Sequence, residues 1–219
     1  GRYEVADLNI SSLISNAAII VMVFYSIIIH EVSHAFAAFA LGDDSAQRAG
    51  RLSFNPKKHI DPFGTIILPL LLFFSADFVY GYAKPVPFNP YNFRNYKRDA
   101  GITALAGPIS NILIAILLSV LFHLSRSIPE LQLILFNVIF LNLLLAFFNL
   151  IPVPPLDGSK VLGMFLSDQA YFKWTAQERK GMLYLFVIII GSNLLGLNLI
   201  GRIVQPPVFF LMRLMGLPV

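Results

Sequence analysis

The sequence predicts an all-α polytopic membrane protein, with transmembrane helices, a re-entrant segment and short membrane-associated β-strands. Three observations carry this. Hydrophobic residues make up 57% of the 219 positions and charged residues only 13%, about half the charged share of an ordinary soluble domain. Mean hydropathy is +0.72. The apolar residues are gathered into long runs separated by short basic or proline-rich breaks, so lipid rather than water covers much of the surface.

The first run, residues 12–41, reads as one helix ended by Gly42, Asp43 and Asp44. At 1.5 Å per residue it exceeds the roughly 30 Å of bilayer hydrocarbon. Residues 46–60 are mixed and polar, with RLSF at 51–54 expected as a short strand before an Asn-Pro turn. The run 63–78 is short for a crossing and contains Pro69. It is followed by GYAKPVPFNP at 81–90, where Pro85, Pro87 and Pro90 enforce an extended chain. Helices are expected at 100–123 and 131–150, the latter broken by Pro152, Pro154 and Pro155. Residues 159–180 read as amphipathic or loop-like and 181–200 as a last span. The tail 202–219, with Pro206, Pro207 and Arg213, reads as an interfacial helix. No internal repeat stands out. The expected organisation is one membrane domain over 1–219, with a core at about 12–160 and C-terminal helices beyond it. The opening GRYEVADLNIS lacks the basic start, short apolar core and cleavage site of a signal peptide.

Charge and cysteine content narrow the function classes. There is no cysteine, so disulfides and thiolate metal sites are excluded. Sixteen Lys and Arg against twelve acids give a net charge of +4. These cations lie in short loops between apolar runs, which points to membrane orientation rather than nucleic-acid binding. Loops 42–60 and 81–99 hold Arg48, Arg51, Lys57, Lys58, Lys84, Arg94, Lys97 and Arg98, whereas loop 124–130 holds only Arg126. The expectation is a multi-pass protein of the plasma membrane with both basic loops in the cytoplasm.

The strongest chemical signal is His30-Glu31-Val32-Ser33-His34. On a helix, positions i and i+4 share a face, so both imidazoles can reach one ion, and Glu31 beside it can take a proton from water. Three ionisable groups inside an apolar helix are costly unless they serve a function. Two histidines leave a zinc site one protein ligand short. His59, His123 and Asp157 are the candidates. Asp157 is favoured because it follows the proline-fixed bend Pro154-Pro155-Leu156, although a turn aspartate capping the next helix is an alternative reading.

HEVSH at 30–34, Gly107-Pro108-Ile109-Ser110-Asn111 and the stretch from Asn149 to Asp157-Gly158 together resemble the site-2 protease family of intramembrane zinc metalloproteases, peptidase family M50. GYAKPVPFNP at 81–90 resembles its bacterial branch. The likeness covers about residues 20–160. It implies a site-2 protease-like core and zinc-dependent cleavage of peptide bonds within or near transmembrane segments. One Zn2+ would be held by His30, His34 and Asp157, with Glu31 as general base and Asn149 steadying the substrate carbonyl or oxyanion. Transmembrane proteins or peptides would be the substrates and membrane-bound regulatory proteins the partners. The PDZ or CBS domain common in the family is not read from this chain.

Zinc ligands at one depth require helices 12–41 and 131–150 to run in the same direction, with 100–123 opposed. Residues 42–99 must then begin and end on one side. That makes 63–78 re-entrant, with 81–90 near the active site and the site nearer the cytoplasmic side. Two other readings stay open at this level. Asn111, Asn137, Asn142 and Asn149 suit a transporter or channel with a bound cation, and His and Asp could simply stabilise helix packing.

Overall fold

A computed structural model describes residues 10–60 and 86–219. The chain forms α1 (Ile10–Ala40), α2 (Ser45–Arg48), α3 (Tyr96–Leu124), α4 (Pro129–Asn149), α5 (Asp157–Gly163), α6 (Asp168–Thr175), α7 (Glu178–Leu194) and α8 (Leu199–Leu214), with 3-10 turns at Pro56–Lys58 and Pro90–Asn92. Helices α1, α3 and α4 are long and apolar enough to cross a membrane. Their limits follow local chemistry. Asn95 caps α3 by accepting from the Arg98 N–H, Pro129 opens α4, and Gly42 at φ 105° ends the first helical segment.

Cross-helix hydrogen bonds fix the directions. His30 meets Asn111 and His34 meets Thr103, so α1 and α3 are antiparallel. Asn111 meets Asn142 and Gln132 meets Phe122, so α3 and α4 are antiparallel. Ser26 meets Asn142, and the same end of α1 approaches Asn149 and Asp157, so α1 and α4 are parallel. The side chain of Asp43 bonds Asn89 and Asn92, which puts the ends of segment 42–95 at one end of the bundle.

The expected strands are not formed: no β-strand occurs among the described residues. At 51–54 the side chains redirect the chain before a ladder can start. The Ser53 N–H donates to the Arg51 carbonyl, His59 Nε2–H to the Ser53 carbonyl, and Arg51 to the Lys58 carbonyl. Local bonds of this kind compete with sheet pairing. Residues 86–89 carry no regular structure, because Pro85, Pro87 and Pro90 remove the donors a ladder needs. The re-entrant stretch 63–78 lies outside the described residues, as do residues 81–85 of the proline-rich segment.

The C-terminal third also departs from expectation. Within 159–180, read as amphipathic or loop-like, the chain forms α5 and α6 joined by a turn at 164–167, and α7 ends at Leu194 instead of continuing to 200. Its 17 residues span about 25 Å, short of the hydrocarbon thickness. In α8, Val204, Val208 and Met212 recur every fourth residue and pack in one core with Leu135, Ile139 and Leu143 of α4. Phe140 and Phe209 stack with centroids 6.1 Å apart beside this seam. Exposed Ile20, Val21, Leu113, Leu117 and Leu133 mark the lipid-facing sides.

This seam gives a test. Met212 is fully buried and Phe210 is 62% exposed on the same helix. Met212→Ala leaves a cavity that neither lipid nor water fills and should cost about 2 kcal/mol, the low end for a core truncation because the bilayer solvates apolar atoms well. Phe210→Ala should leave the thermal unfolding midpoint in detergent unchanged, while Met212→Ala lowers it.

Candidate metal centre

The site lies where α1, α3 and the start of α5 meet. Residues 30 and 34 on α1 face residues 103, 107 and 111 on α3, so two antiparallel helices are matched in steps of four. His30 Nδ1 lies 2.5 Å from Asn111 Oδ1, and His34 Nδ1 lies 2.7 Å from the Thr103 carbonyl. Asn111 presents its oxygen because its Nδ2 donates to Asn142 Oδ1 at 2.9 Å. Asn142 Nδ2 in turn donates to Ser26 Oγ at 3.0 Å and to the Val138 carbonyl at 2.8 Å. A carbonyl only accepts, so both Nδ1 atoms must carry the proton. That leaves each neutral imidazole with a lone pair on Nε2.

These two lone pairs converge with a carboxylate. The Nε2 atoms are 3.0 Å apart, and each lies 3.3 Å from Asp157 Oδ2. Asp157 Oδ2 is buried with no hydrogen-bond donor. Three acceptor atoms facing one another at this range repel unless a cation sits between them. Tetrahedral zinc with bonds near 2.0–2.1 Å separates its ligand atoms by about 3.3 Å. The donor set therefore fits one zinc ion, with a position left for water or substrate.

Local sequence explains how each ligand is delivered. Gly107 lets α3 approach closely, because a Cβ there would overlap the Nε2 atoms of His30 and His34. Asp157 comes from the broken segment after α4. Leu156 and Ser159 N–H bond back to the Val153 and Leu156 carbonyls, and a side chain at Gly158 would collide with the Leu150 and Ile151 carbonyls. Asp157 is the first residue of α5, and its Oδ2, with no hydrogen-bond donor, faces both histidine Nε2 atoms.

A cleft of ≈ 210 Å³ opens on these atoms, lined also by Glu31, Val86, Phe88, Asn149 and Lys160. Glu31 Oε2 accepts the Val86 N–H at 3.3 Å. Asn149 Nδ2 donates to the Leu145 carbonyl one turn back. The other sequence candidates lie elsewhere. His59 donates to the Ser53 carbonyl, His123 to the Met215 carbonyl at the far end of the bundle, and Asn137 to the Leu133 carbonyl of its own helix.

The peptidase family M50 pattern matches residues 127–192. YwhC of Bacillus subtilis (strain 168), provisionally named a zinc metalloprotease, is 34% identical over 189 residues, covering 81% of this chain and 83% of its own. The chain belongs to peptidase family M50. Rip2 of Mycolicibacterium smegmatis, with the same kind of name, is 28% identical over 174 residues, covering 77% of this chain and 65% of its own. MJ0611 of Methanocaldococcus jannaschii, also so named, is 35% identical over 95 residues, 42% of this chain and 50% of its own. No solved structure matches. This M50 peptidase is thus a zinc-dependent intramembrane metalloendopeptidase, a multi-pass membrane protein acting on membrane-embedded proteins. That assignment replaces the transport and packing readings.

The sequence gives Gly107 no task beyond its motif, and it groups Asn111 with Asn142 only as polar residues that suit a transport path. Ser26, Thr103 and Val86 were not singled out at all. Only the step of four shared by 30/34 and 103/107/111 hinted at the match, and pairing those two sets needed the fold.

The relay predicts a metal phenotype. Asn111→Leu removes the acceptor that fixes the His30 tautomer, and losing the partner of a metal-binding histidine costs about 10–100-fold in metal affinity. Competition with a zinc chelator should read that loss in a protein that still elutes as folded. Gly107→Ala should lower zinc content further, because its methyl group displaces both rings.

Proposed function

We propose that the protein cleaves transmembrane segments with His30, His34 and Asp157 holding one zinc, Glu31 as general base and Asn149 steadying the oxyanion. The observation that carries this is the meeting of three ligand atoms, all within 4.8 Å of one another, in the same cleft as the Glu31 carboxylate. Zinc held there supplies Lewis acidity toward the scissile carbonyl and makes water a nucleophile near neutral pH.

The chain's own groups do the rest. Glu31 accepts a proton as the water oxygen bonds to the carbonyl carbon, and returns it to the amide nitrogen as the C–N bond breaks. The Val86 N–H on Oε2 keeps that carboxylate turned into the cleft. Asn149 spends one amide hydrogen on the Leu145 carbonyl, and its second is available to the developing oxyanion. Such a donor contributes on the order of 3 kcal/mol to the transition state. A substrate helix hides its carbonyls in its own hydrogen bonds, so it must open locally to enter, which helix-weakening residues near the scissile bond make easier.

Residues 1–219 act as one membrane domain in this reading, and membrane-bound regulatory proteins are its further partners. Arg48, Arg51, Lys57, Lys58, Arg94, Lys97 and Arg98 cluster at the zinc-site end of the bundle, whereas Arg126 and Arg213 flank the other. By the positive-inside rule this charge distribution supports a site toward the cytoplasmic face of the plasma membrane.

Asp157→Ala should abolish stoichiometric zinc at neutral pH, measured by metal analysis of the purified protein. Glu31→Gln should keep zinc and lose hydrolysis of a membrane peptide, because an amide cannot take the proton; turnover by this variant would sink the mechanism. Asn149→Ala should lower kcat more than it raises KM. For orientation, single cysteines at Lys57 and Arg94 should react with an impermeant reagent from the cytoplasmic side and one at Arg126 from the opposite side. Labelling of 57 and 94 from outside the cell reverses the assignment.

A further inference from the structure

Asp43 lies just beyond α1, outside the metal site, and its residue is fully buried. A carboxylate out of water is costly unless donors surround it. Here four do. Oδ1 accepts from the Ser45 N–H at 3.1 Å, Ser45 Oγ at 2.5 Å and Asn92 Nδ2 at 2.7 Å, and Oδ2 accepts from the Asn89 N–H at 2.7 Å. Burial on its own would push the carboxyl up, but the Ser45, Asn89 and Asn92 donors hold it below the usual carboxylate range, so it stays ionised.

Two of those donors belong to the segment that walls the cleft. Pro85, Pro87 and Pro90 have no N–H, so Val86, Phe88 and Asn89 carry the only backbone donors of residues 85–90. One of the three goes to Glu31 and another to Asp43. Between them, Phe88 lines the cleft, with Lys160 Nζ 5.6 Å from its ring centroid and the Phe93 ring stacked at 6.2 Å. The described part of this segment is pinned at each end by a carboxylate, in place of the sheet partner its prolines rule out.

We propose that Asp43 is a positioning residue for hydrolysis, a buried latch that holds residues 86–92 across the cleft and so delivers the Val86 N–H to Glu31. The proposal rests on Glu31 being the general base. The latch acts at a distance from the chemistry, through the backbone of three residues, and touches neither substrate nor metal. Losing it frees the segment to lift, so that Glu31 loses the donor that orients it while the zinc ligands stay in place.

Asp43→Asn keeps the size of the side chain but leaves one acceptor oxygen, so an amide N–H must face a donor on one side. The full chain, zinc-loaded in detergent, should keep one zinc. Turnover of a membrane peptide per bound zinc should fall roughly 10–100-fold with little change in KM, the scale of a misplaced catalytic group. Hydrogen exchange at Val86 and Asn89 should speed up while α1 stays protected. Ser45→Ala removes the 2.5 Å bond to Asp43 and a long 3.5 Å contact from Asn92 Nδ2, but leaves both segment donors on Asp43, and should keep most of the wild-type turnover. If Ser45→Ala reproduces the loss, Asp43 only shapes its own turn and the latch is wrong. Wild-type turnover with Val86 still protected in Asp43→Asn refutes it equally. Should Asp43→Asn not accumulate, Asn92→Ala removes one segment donor and carries the test, with a severalfold loss expected and no loss refuting it. Glu31→Gln separates the two levels: an active Glu31→Gln variant overturns the chemistry itself, whereas an inactive one beside an unaffected Asp43→Asn overturns the latch alone.

Discussion

The antiparallel match of α1 with α3 commits both imidazole Nδ1–H groups, and the metal centre depends on that commitment. One turn of α3 offers the Thr103 carbonyl, the next offers no side chain at Gly107, and the next offers the Asn111 amide oxygen. His30 and His34, one turn apart on α1, have no freedom left in tautomer or rotation. Their Nε2 lone pairs must point into the gap where Asp157 Oδ2 already lies. A slip of one residue between the helices would bring a side chain onto the rings and remove both acceptors.

The same logic explains why a bundle exposed to lipid keeps so many amides inside. Within hydrocarbon an unpaired polar group has no water to turn to. The sequence of bonds from His30 through Asn111 and Asn142 to Ser26 ends on the Met22 carbonyl of α1 itself, so the relay closes on helix backbone. It also ties three helices together at the depth of the site. Ala100, Ala104 and Ala115 on α3 are almost fully buried, small enough to let the helices approach to the distance these bonds need.

Breaks in regular structure do the remaining placement. Proline ends α4 short of Asp157, and the turn that follows carries that residue back over the end of the helix. Proline also keeps residues 86–90 out of any sheet and leaves three backbone donors, two of which go to the carboxylates of Glu31 and Asp43. Peptide hydrolysis in a bilayer needs polar groups gathered in a small volume and shielded elsewhere. Here irregular backbone supplies them at one end of the bundle, where the basic loops also lie.

The sequence by itself determined whatever depends on neighbours along the chain. Apolar runs of sufficient length marked α1, α3 and α4 within a few residues, and the i,i+4 spacing put two imidazoles and a carboxylate on one helix. The motifs at 107–111 and 149–158 carried the family likeness, and parity of crossings gave the relative directions of three helices. Local pattern failed where side chains outbid it. Residues 51–54 read as a strand, yet Ser53, His59 and Arg51 spend their bonds on a tight bend, and α7 stopped short of the span its hydropathy suggested. Only the tertiary structure decided which residues face each other across helices: that Asn111 and Thr103 orient the ligands, that His59 and His123 stand apart from them, that α8 docks on α4, and that Asp43 and Glu31 share one segment. Those pairings join positions tens of residues apart, and no periodicity along the chain encodes the register between two helices until they pack.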